Sequence, residues 1–380
     1  MTLRVAVVAL YPAPGAKAPG GVRAVVQNLV HGLRSFNDLD VHLVHCHADI
    51  EQGLTTEDNG VQVEYIAMPK RRVVPNTLRA ILQVERVLRK VQPEVVNTHA
   101  AHYTIAALRA GFPTVFTIHG VVRREAAVYR STMFDRARFT LEDWLERYAV
   151  QHVRDIVAIS PYVLEEYGSR SNARFHRIDN PLSPDFFEIP NVEEEGRLLY
   201  AGTIDERKNI MGLLRAFAIV HKRAPHARLR IAGRATNPAY LQASREMAER
   251  EGLGPHVEFL GLQNKTTMLE EYARCTALVL ASQQETAPMA VSEAMAAAKP
   301  VVATAVGGVP DLVEDGVSGF LAAAGDMAGF AQSILRLLAD KELRHHMGQH
   351  GRERAQRFRA EIVAARYRQL YYQIAGKSMP

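Results

Sequence analysis

Two carboxylates, Glu285 and Glu293, lie in a segment whose pattern predicts a strand, a loop and a helix. The apolar run 277–282 is rich in β-forming residues, Pro288 can occupy the first turn of a helix, and residues 289–298 have a helical composition. Glu285 therefore falls in the loop after the strand, and Glu293 falls about a turn and a half into the helix.

A loop in that position suits a sugar nucleotide. Ligands of open parallel α/β sheets bind at the carboxyl ends of the strands. Carboxylates there can accept hydrogen bonds from the vicinal hydroxyls of a sugar or a ribose, while free N–H groups at a helix start favour a phosphate. Because two glutamates at this spacing can also be ordinary surface residues, the surrounding residues must decide between the two interpretations.

The whole segment 281–308 resembles the carboxy-terminal signature of the retaining GT-B glycosyltransferases of family 4. The family pattern has two glutamates separated by seven residues, then Ala-Met-Ala, Lys/Arg-Pro-Val-Val and Gly-Gly-Val-Pro. This sequence has the two glutamates followed by Ala294–Ala296, Lys299–Val302 and Gly307–Pro310. The resemblance implies an α/β protein with two Rossmann-like, doubly wound domains facing across a cleft. It also implies a metal-independent, retaining hexosyltransferase without a cofactor.

The resemblance implies how the donor would be held. Its substrate would be a nucleotide-diphosphate sugar of the UDP or GDP type. Lys208 matches the family lysine that binds the donor phosphates, but Thr203 stands where the family has an arginine. We expect Arg207 or Arg234 to supply the second positive charge. The residues expected to bind the donor are Gly20, Gly21, Thr203, Arg207, Lys208, Arg234, Leu262, Glu285, Ala287, Pro288, Met289 and Glu293.

Within that set, Glu293 is expected on the ribose, and Glu285 with the amides of residues 287–289 on the sugar hydroxyls. The leaving-group charge would be stabilised by Lys208, an arginine and amide dipoles. The resemblance implies a front-side displacement in which the departing phosphate oxygen helps to deprotonate the acceptor hydroxyl. Glu285, Lys208 and His119 are the expected catalytic residues.

Histidines cluster near the ends of predicted strands in the first half of the chain: His45, His47, His99, His102 and His119. Parallel strands end at one edge, so these imidazoles should lie near one another. A zinc site is the alternative interpretation, but no carboxylate or histidine at ligand spacing accompanies them. The stretch 117–120 resembles the family's strand-end histidine, which implies that His119 contacts the transferred sugar. Gly20 and Gly21 precede a predicted helix, where the family places glycines against the donor diphosphate.

An arginine-rich segment, 121–153, is predicted to be helical throughout. We interpret Arg123 and Arg124, which follow the His119 loop, as acceptor-binding residues. The acceptor would be a glycan or a lipid-linked glycan, and the basic face could also rest on anionic lipid. Asp38-Leu39-Asp40 has the pattern of a metal site of another glycosyltransferase fold, but it precedes a strand, so we interpret it as a coincidence.

Strands and helices alternate along the chain, which favours two parallel sheets. One strand is predicted within 175–184, ending at Asn180-Pro181, and residues 183–196 look like a polar linker. We expect residues 1–185 to form a Rossmann-like acceptor-binding domain and 186–360 a Rossmann-like nucleotide-sugar-binding domain. Residues 361–380 should form a helix that crosses back to the first domain.

Composition agrees with a globular enzyme. The 380 residues are 47% hydrophobic and 23% charged, with a net charge of +5. No charged leader or long apolar segment is evident, so we expect a cytoplasmic protein. The net positive charge is compatible with several anionic partners. Of these we expect the inner face of the membrane, where the protein would be peripheral, and no nucleic acid. Cys46 and Cys275 should be buried free thiols. Two alternatives remain: another enzyme of this fold, namely a sugar-nucleotide epimerase or phosphorylase, and a catalytically silent nucleotide-sugar-binding relative.

Overall fold

The structure is a computed structural model, and it divides into two compact units. The first unit comprises Met1–Ala126, Ser131–Pro181 and Phe358–Pro380, and the second comprises Ala127–Arg130 and Leu182–Arg357. The residues that the structure describes are 2–12, 21–47, 52–58, 60–68, 76–129 and 133–380. Gly20, expected at the donor diphosphate, lies outside the described residues.

Fourteen strands of four to nine residues form in the described chain, and most of them are apolar runs. The first unit contains β1 (Leu3–Val8), β2 (Leu39–His47), β3 (Leu54–Asp58), β4 (Val61–Ala67), β5 (Val95–Thr98), β6 (Thr114–Ile118), β7 (Asp155–Ala158) and β8 (Arg174–Arg177). The second unit contains β9 (Arg197–Ala201), β10 (Arg228–Ala232), β11 (Val257–Gly261), β12 (Ala277–Leu280), β13 (Val301–Thr304) and β14 (Gly319–Ala322).

The helices cover the faces of these sheets. They are α1 (Val22–Leu33), α2 (Asn76–Val91), α3 (Ala101–Ala110), α4 (Val122–Ala126), α5 (Met133–His152), α6 (Pro161–Tyr167), α7 (Ile210–Arg223), α8 (Pro238–Arg250), α9 (Lys265–Arg274), α10 (Met289–Ala296), α11 (Val309–Leu312), α12 (Met327–Ala339), α13 (Lys341–Ala355) and α14 (Ala360–Ala375).

The first sheet has the strand order β3-β4-β2-β1-β5-β6-β7-β8. All of its pairs are parallel except the antiparallel pair β3·β4, and the sequence pattern did not predict β3. The strand predicted to end at Asn180-Pro181 is wrong in extent, because β8 ends at Arg177. Pro181 and Pro184 lack the N–H groups that a longer strand would need for its ladder.

The second sheet is entirely parallel, with the order β11-β10-β9-β12-β13-β14. Its central strands, β9 and β12, are buried on both faces, as expected when helices cover a parallel sheet. The carboxyl ends of these two strands lead into the loops 202–209 and 281–288. The sheet therefore brings together two loops that are some eighty residues apart in sequence.

Residues 183–196 do not form the polar linker that their composition predicted. They belong to the second unit, and a short 3₁₀ helix, Pro184–Phe187, buries Phe186 and Phe187. The Glu194 backbone N–H donates to the Arg274 carbonyl at 2.8 Å. Buried aromatic side chains and a paired backbone fix this segment, so the charge run alone was a poor guide.

The last helix, α14, packs in the first unit against α1. A Cβ on Gly32 would lie 2.5 Å from the Ala360 carbonyl oxygen, so only glycine permits this approach. The Asp38 carboxylate accepts from Arg368 Nε at 2.9 Å and from Tyr372 Oη at 2.7 Å. Asp38 therefore anchors the last helix, which supplies a structural reason for half of the Asp-x-Asp pattern.

Candidate active site

A buried carboxylate with two cationic partners lies at the carboxyl edge of the second sheet. Glu285, in the loop after β12, is only 3% exposed. Its Oε1 accepts from Lys208 Nζ at 2.5 Å and from Ser282 Oγ at 2.7 Å, and its Oε2 accepts from Arg207 Nη1 at 3.3 Å. We call these four residues the Glu285 cluster. Burial by itself would raise the pKa of Glu285, but Lys208 and Arg207 outweigh it and hold the pKa below its ordinary value.

The loop between β9 and α7 positions the two cations. Asp205, which is buried, accepts from the Lys208 backbone N–H at 3.0 Å and from Thr203 Oγ1 at 2.8 Å. Tyr200 Oη donates to the Thr203 carbonyl at 2.6 Å. Thr203, at the family's arginine position, therefore uses its hydroxyl within the loop. Sequence reasoning missed Asp205, although an aspartate three residues before a lysine in a loop is a recognisable turn pattern.

The same loop passes very close to the end of β10. Gly233 has φ 154°, and a Cβ there would lie 1.6 Å from the Gly202 carbonyl oxygen. The Gly202 N–H in turn donates to the Ala232 carbonyl at 3.0 Å. This close backbone approach needs glycine and holds the cationic loop against the sheet.

The two arginines expected to replace the missing family arginine have different environments. Arg207 is mostly buried and donates to the Gln284 carbonyl at 3.0 Å as well as to Glu285. Arg234, just after β10, is exposed, and its side chain makes no hydrogen bond or ion pair with the residues that the structure describes. Arg207 thus belongs to the Glu285 cluster, whereas Arg234 remains available at the surface.

Glu293, the second signature glutamate, has no cation beside it among the described residues. It lies in α10, and its Oε2 accepts from the Tyr272 hydroxyl at 2.8 Å. Tyr272 is fully buried. Burial raises the pKa of Glu293 to about 7, and the single hydrogen bond from Tyr272 offsets this only in part. Near neutral pH this carboxyl therefore holds or releases a proton readily.

The start of α10 lies beside the Glu285 cluster. The helix begins at Met289 after Pro288, and the amides of Ala287 and Met289 have no hydrogen-bond partner within the described part of the chain. Such free amides at a helix start can point at an anion or a hydroxyl oxygen. The Gly308 N–H donates to the Glu285 carbonyl at 3.1 Å, which joins the Gly-Gly-Val-Pro loop to this site.

The expected donor-binding residue Leu262 and the signature residue Lys299 have separate environments. Leu262 is 53% exposed just beyond β11. Lys299 is buried, and its Nζ donates at 2.8 Å to the carbonyls of Ala273 and Cys275 and at 2.7 Å to Asn191 Oδ1. Those carbonyls lie at the carboxyl end of α9, where a positive charge is favourable. Lys299 therefore stabilises the fold of the second unit.

In the first unit, His119 directly follows β6 and contacts another strand-end histidine. Its Nε2 lies 2.7 Å from His99 Nδ1, and the two rings stack with centroids 5.0 Å apart. Burial lowers the pKa of His119 to about 4, so the imidazole is neutral near pH 7. Gly21 begins α1 with φ 56°, a left-handed conformation that favours glycine.

The remaining histidines do not assemble a metal centre in the described residues. No group of three or more His, Cys, Asp or Glu side chains there has the geometry to hold a metal ion. His45 Nδ1 instead lies 3.0 Å from the Ala9 carbonyl oxygen and is engaged by the backbone. Cys46 and Cys275 are both free thiols; Cys275 is buried as predicted, but Cys46 is only half-buried.

The arginine-rich segment is not one helix, because α4 ends at Ala126 and residues 127–129 form a turn. Arg123 and Arg124 both pair with Glu166, a buried carboxylate of α6, and Arg124 Nε lies 2.8 Å from its Oε1. Burial by itself would raise the pKa of Glu166, but the two arginines hold it below the usual value. The two expected acceptor-binding cations therefore share one anionic partner that sequence reasoning missed.

Both halves of the chain match known families. Residues 19–186 match the family described as Glycosyltransferase Family 4, and residues 183–354 match the family described as Glycosyl transferases group 1. The chain belongs to the family 4 glycosyltransferases. This confirms the resemblance noted from the Glu-x7-Glu signature, and glycosyltransferase activity follows at the level of the family.

Two relatives show how far the sequence likeness extends. The chain is 29% identical over 183 residues to N-acetyl-alpha-D-glucosaminyl L-malate synthase of Bacillus anthracis, an alignment that covers 48% of this chain and 46% of that protein. It is 23% identical over 374 residues to the capsular polysaccharide biosynthesis glycosyltransferase CapM of Staphylococcus aureus, covering 91% and 93% of the two chains. The first likeness thus spans about half the length of that relative.

Solved structures confirm the fold. Sucrose-phosphate synthase from Thermosynechococcus elongatus superposes with a TM-score of 0.84 at 21% identity, covering 99% of this chain and 100% of that chain. Anabaena HepE in complex with UDP-glucose gives a TM-score of 0.73 at 18% identity, covering 98% and 100%. The predicted α/β GT-B fold with two parallel-sheet domains is therefore correct. Among the described residues, no helix combines the length and apolarity needed to cross a membrane.

Proposed function

We propose that this glycosyltransferase moves a sugar from a nucleotide-diphosphate sugar to a hydroxyl of a glycan or glycolipid with retention of configuration. The observation that carries the proposal is the Glu285 cluster, in which a buried carboxylate is held by two cations. An ionised carboxylate there can accept hydrogen bonds from sugar hydroxyls, and the same cations can neutralise the adjacent diphosphate. The likeness to HepE, solved with UDP-glucose, favours a UDP-sugar over a GDP-sugar.

The leaving group is the step at which the cluster would act. Negative charge grows on the departing diphosphate oxygen, and Lys208, Arg207 and the free amides at the start of α10 supply fixed positive partners. These charges make a metal ion unnecessary for that step in our proposal. Arg234 would supply a third cation to the diphosphate, since its side chain has no partner within the described residues.

Glu293 is proposed to hold the ribose, and His119 the transferred sugar. Glu293 can accept from a ribose hydroxyl while it keeps its bond from Tyr272, because a carboxylate has two oxygens. His119, neutral near pH 7, can act as a hydrogen-bond partner without adding charge. The departing phosphate oxygen would then take the proton of the attacking acceptor hydroxyl on the same face, which gives retention.

The donor class is tested by thermal shift. Purified protein is screened with UDP-, GDP-, ADP- and dTDP-sugars without added metal, alongside Glu293→Ala. A ligand at 100 times its Kd stabilises by about 2.7 kcal/mol, which corresponds to roughly 5–10 °C in Tm for a unit of this size. We expect a shift for one donor class that disappears in the variant. No shift with any donor, or an equal shift in Glu293→Ala, would refute the assigned site.

Retention is tested on the product. With the donor from the screen and a panel of glycan and glycolipid acceptors, the anomeric configuration of the new linkage is read by NMR. An α-linked sugar from an α-linked donor supports the front-side displacement. A β-linked product would show inversion and overturn that step while leaving the donor site intact.

The acceptor is proposed to engage Arg123 and Arg124. An anionic group on the acceptor would compete with Glu166 for the two guanidinium groups. Glu166→Gln removes that competitor, so we expect a lower acceptor KM for an anionic acceptor and little change for a neutral one. If the ratio of the two KM values, for the anionic and the neutral acceptor, is unchanged in this variant, the proposal that the arginines bind the acceptor is wrong.

Peripheral membrane association is proposed through the exposed face of α5. Trp144, the only tryptophan of the chain, is 56% exposed and stacks on Tyr148 with ring centroids 6.0 Å apart. Amphipathic aromatic rings favour the membrane interface. Arg147 is paired with Asp143 at 2.7 Å, so charge contributes less than the arginine count suggested. Cosedimentation with phosphatidylglycerol vesicles should fall in Trp144→Ala, and equal partition of both proteins would refute the proposal.

A further inference from the structure

The contact between His99 and His119 constrains which nitrogen of His119 can carry a proton. His99, at the end of β5, is 6% exposed, and its Nδ1 lies 2.7 Å from His119 Nε2. Burial keeps the pKa of each imidazole below its usual value, and for His99 the neighbouring His119 ring lowers the pKa further. Both rings are therefore neutral near pH 7, and a single proton lies between the two nitrogens.

The second nitrogen of His99 decides which ring owns that proton. His99 Nε2 is enclosed and has no hydrogen-bond partner within the described part of the chain. If His119 Nε2–H were the donor, His99 would have to carry its own proton on this enclosed Nε2, leaving a buried N–H unpaired. Orphaned buried N–H groups are rarer in proteins than under-used acceptors. The opposite arrangement places the His99 proton on Nδ1 and leaves only a lone pair enclosed.

We propose that His99 is a positioning residue that fixes the tautomer of His119: His99 Nδ1–H donates to His119 Nε2, so His119 carries its proton on Nδ1. His119 is only partly buried, and its Nδ1 makes no hydrogen bond with the described residues. That N–H is then a donor with a fixed direction, suited to a hydroxyl or phosphate oxygen of the substrate. This inference rests on the role of His119 in the proposed function.

The backbone supports the same geometry. The His99 N–H donates to the Val8 carbonyl at 3.0 Å, which ties the end of β5 to β1. β5 and β6 are adjacent parallel strands, with Thr98 opposite Phe116. Histidines that immediately follow two neighbouring strands are held at a separation set by the sheet. The ring contact therefore lies at the carboxyl ends of two adjacent, hydrogen-bonded strands of the sheet.

The test reads the tautomer directly. Long-range ¹H–¹⁵N spectra of ¹⁵N-histidine-labelled protein without ligand distinguish the two ring nitrogens, and His119→Gln assigns the His119 signals. We expect His119 as the Nδ1–H form in the unmodified protein. In His99→Leu the Nε2–H form should appear, and in His99→Asn, whose amide can still donate, the Nδ1–H form should persist. Nε2–H His119 in the unmodified protein would overturn the inference.

A matched variant separates this effect from the loss of any buried histidine. His45→Leu removes a ring that is 2% exposed and bonded to the Ala9 carbonyl, without direct contact with His119. It should leave the His119 tautomer unchanged. If it shifts the tautomer as His99→Leu does, the effect is general loosening and the assignment of His99 is wrong.

Turnover separates this inference from the proposed function. With UDP-glucose as the probe and release of UDP as the signal, we expect His99→Leu to lower kcat about 10-fold at unchanged KM, the value of one hydrogen bond. His99→Asn should recover most of that loss. A tautomer change without any change in UDP release would keep the positioning role of His99 and remove His119 from the reaction.

Discussion

Replacing Glu293 by glutamine should raise the free energy of unfolding, and this gain should appear only above about pH 4.5, the ordinary pKa of the carboxyl. The raised pKa means that folded Glu293 binds a proton more tightly than unfolded Glu293 does. Between the unfolded value of about 4.5 and the folded value of about 7, the folded state holds more protons, so stability falls as the pH rises through this window. Glutamine keeps an acceptor for Tyr272 and cannot ionise, so Glu293→Gln escapes this loss.

The size of the effect follows from the two pKa values. A separation of about 2.5 pKa units corresponds to about 3 kcal/mol at pH 8. Because the side chain is not fully shielded from solvent, about 1–3 kcal/mol is the expected range. For a unit of this size that is an increase of roughly 2–10 °C in Tm at pH 8. Below pH 4.5 the difference should vanish.

Calorimetry at several pH values measures this change in Tm. Glu285→Gln is the matched control with the opposite sign. Its lowered pKa means that the ionised form stabilises the folded state above pH 4.5, so this variant should lose stability at pH 7. A Glu293→Gln gain that does not depend on pH, or no gain at pH 8, would refute the reasoning about Glu293.

Three further outcomes follow from the same contacts. Lys208→Met should lower the free energy of unfolding by about 3–5 kcal/mol, because it removes one of the two cations beside buried Glu285. The double variant Lys208→Met/Glu285→Gln should recover part of the lost Tm. It should not recover donor binding, as measured by calorimetric titration. Gly233→Ala should lower the free energy of unfolding by about 4 kcal/mol or more, because the new Cβ would clash with the Gly202 carbonyl. Gly252→Ala, at a residue with φ 69° and open space around it, should lower it by only about 1 kcal/mol. The Tm of each variant measures the difference. The Kd of the donor should rise as the pH falls from 8 to 6, because protonated Glu293 is a weaker acceptor, and in Glu293→Gln it should stay flat.

The sequence predicted elements whose signals are local. The alternation of buried strands and amphipathic helices was sufficient for two parallel sheets, and the Glu-x7-Glu signature was sufficient for the family. The strand β3 was missed because its pattern is half exposed and polar. The linker predicted at 183–196 was wrong because the same stretch that contains the charge run also contains Phe186 and Phe187, which are buried.

Partners across the sheet were beyond the reach of sequence spacing. Nothing in the sequence indicated that Glu166 would take both Arg123 and Arg124, since the residues lie over forty positions apart. Asp205 carried only a weak turn signal, yet it holds the backbone of Lys208. Long-range pairing depends on which loops the sheet brings together, and that is decided by packing rather than by any local pattern.

The two signature glutamates share a motif but have opposite electrostatic environments. Glu285 is kept ionised by Lys208 and Arg207, whereas burial leaves Glu293 close to half-protonated at pH 7. A nucleotide diphosphate adds negative charge to this region, and two fully ionised carboxylates would oppose it. A proton on Glu293 lowers that repulsion but makes the carboxyl a weaker acceptor for the ribose, and we expect the second effect on donor affinity to be the larger. The full negative charge is retained at Glu285, where the cations that neutralise it are also the proposed partners of the leaving group.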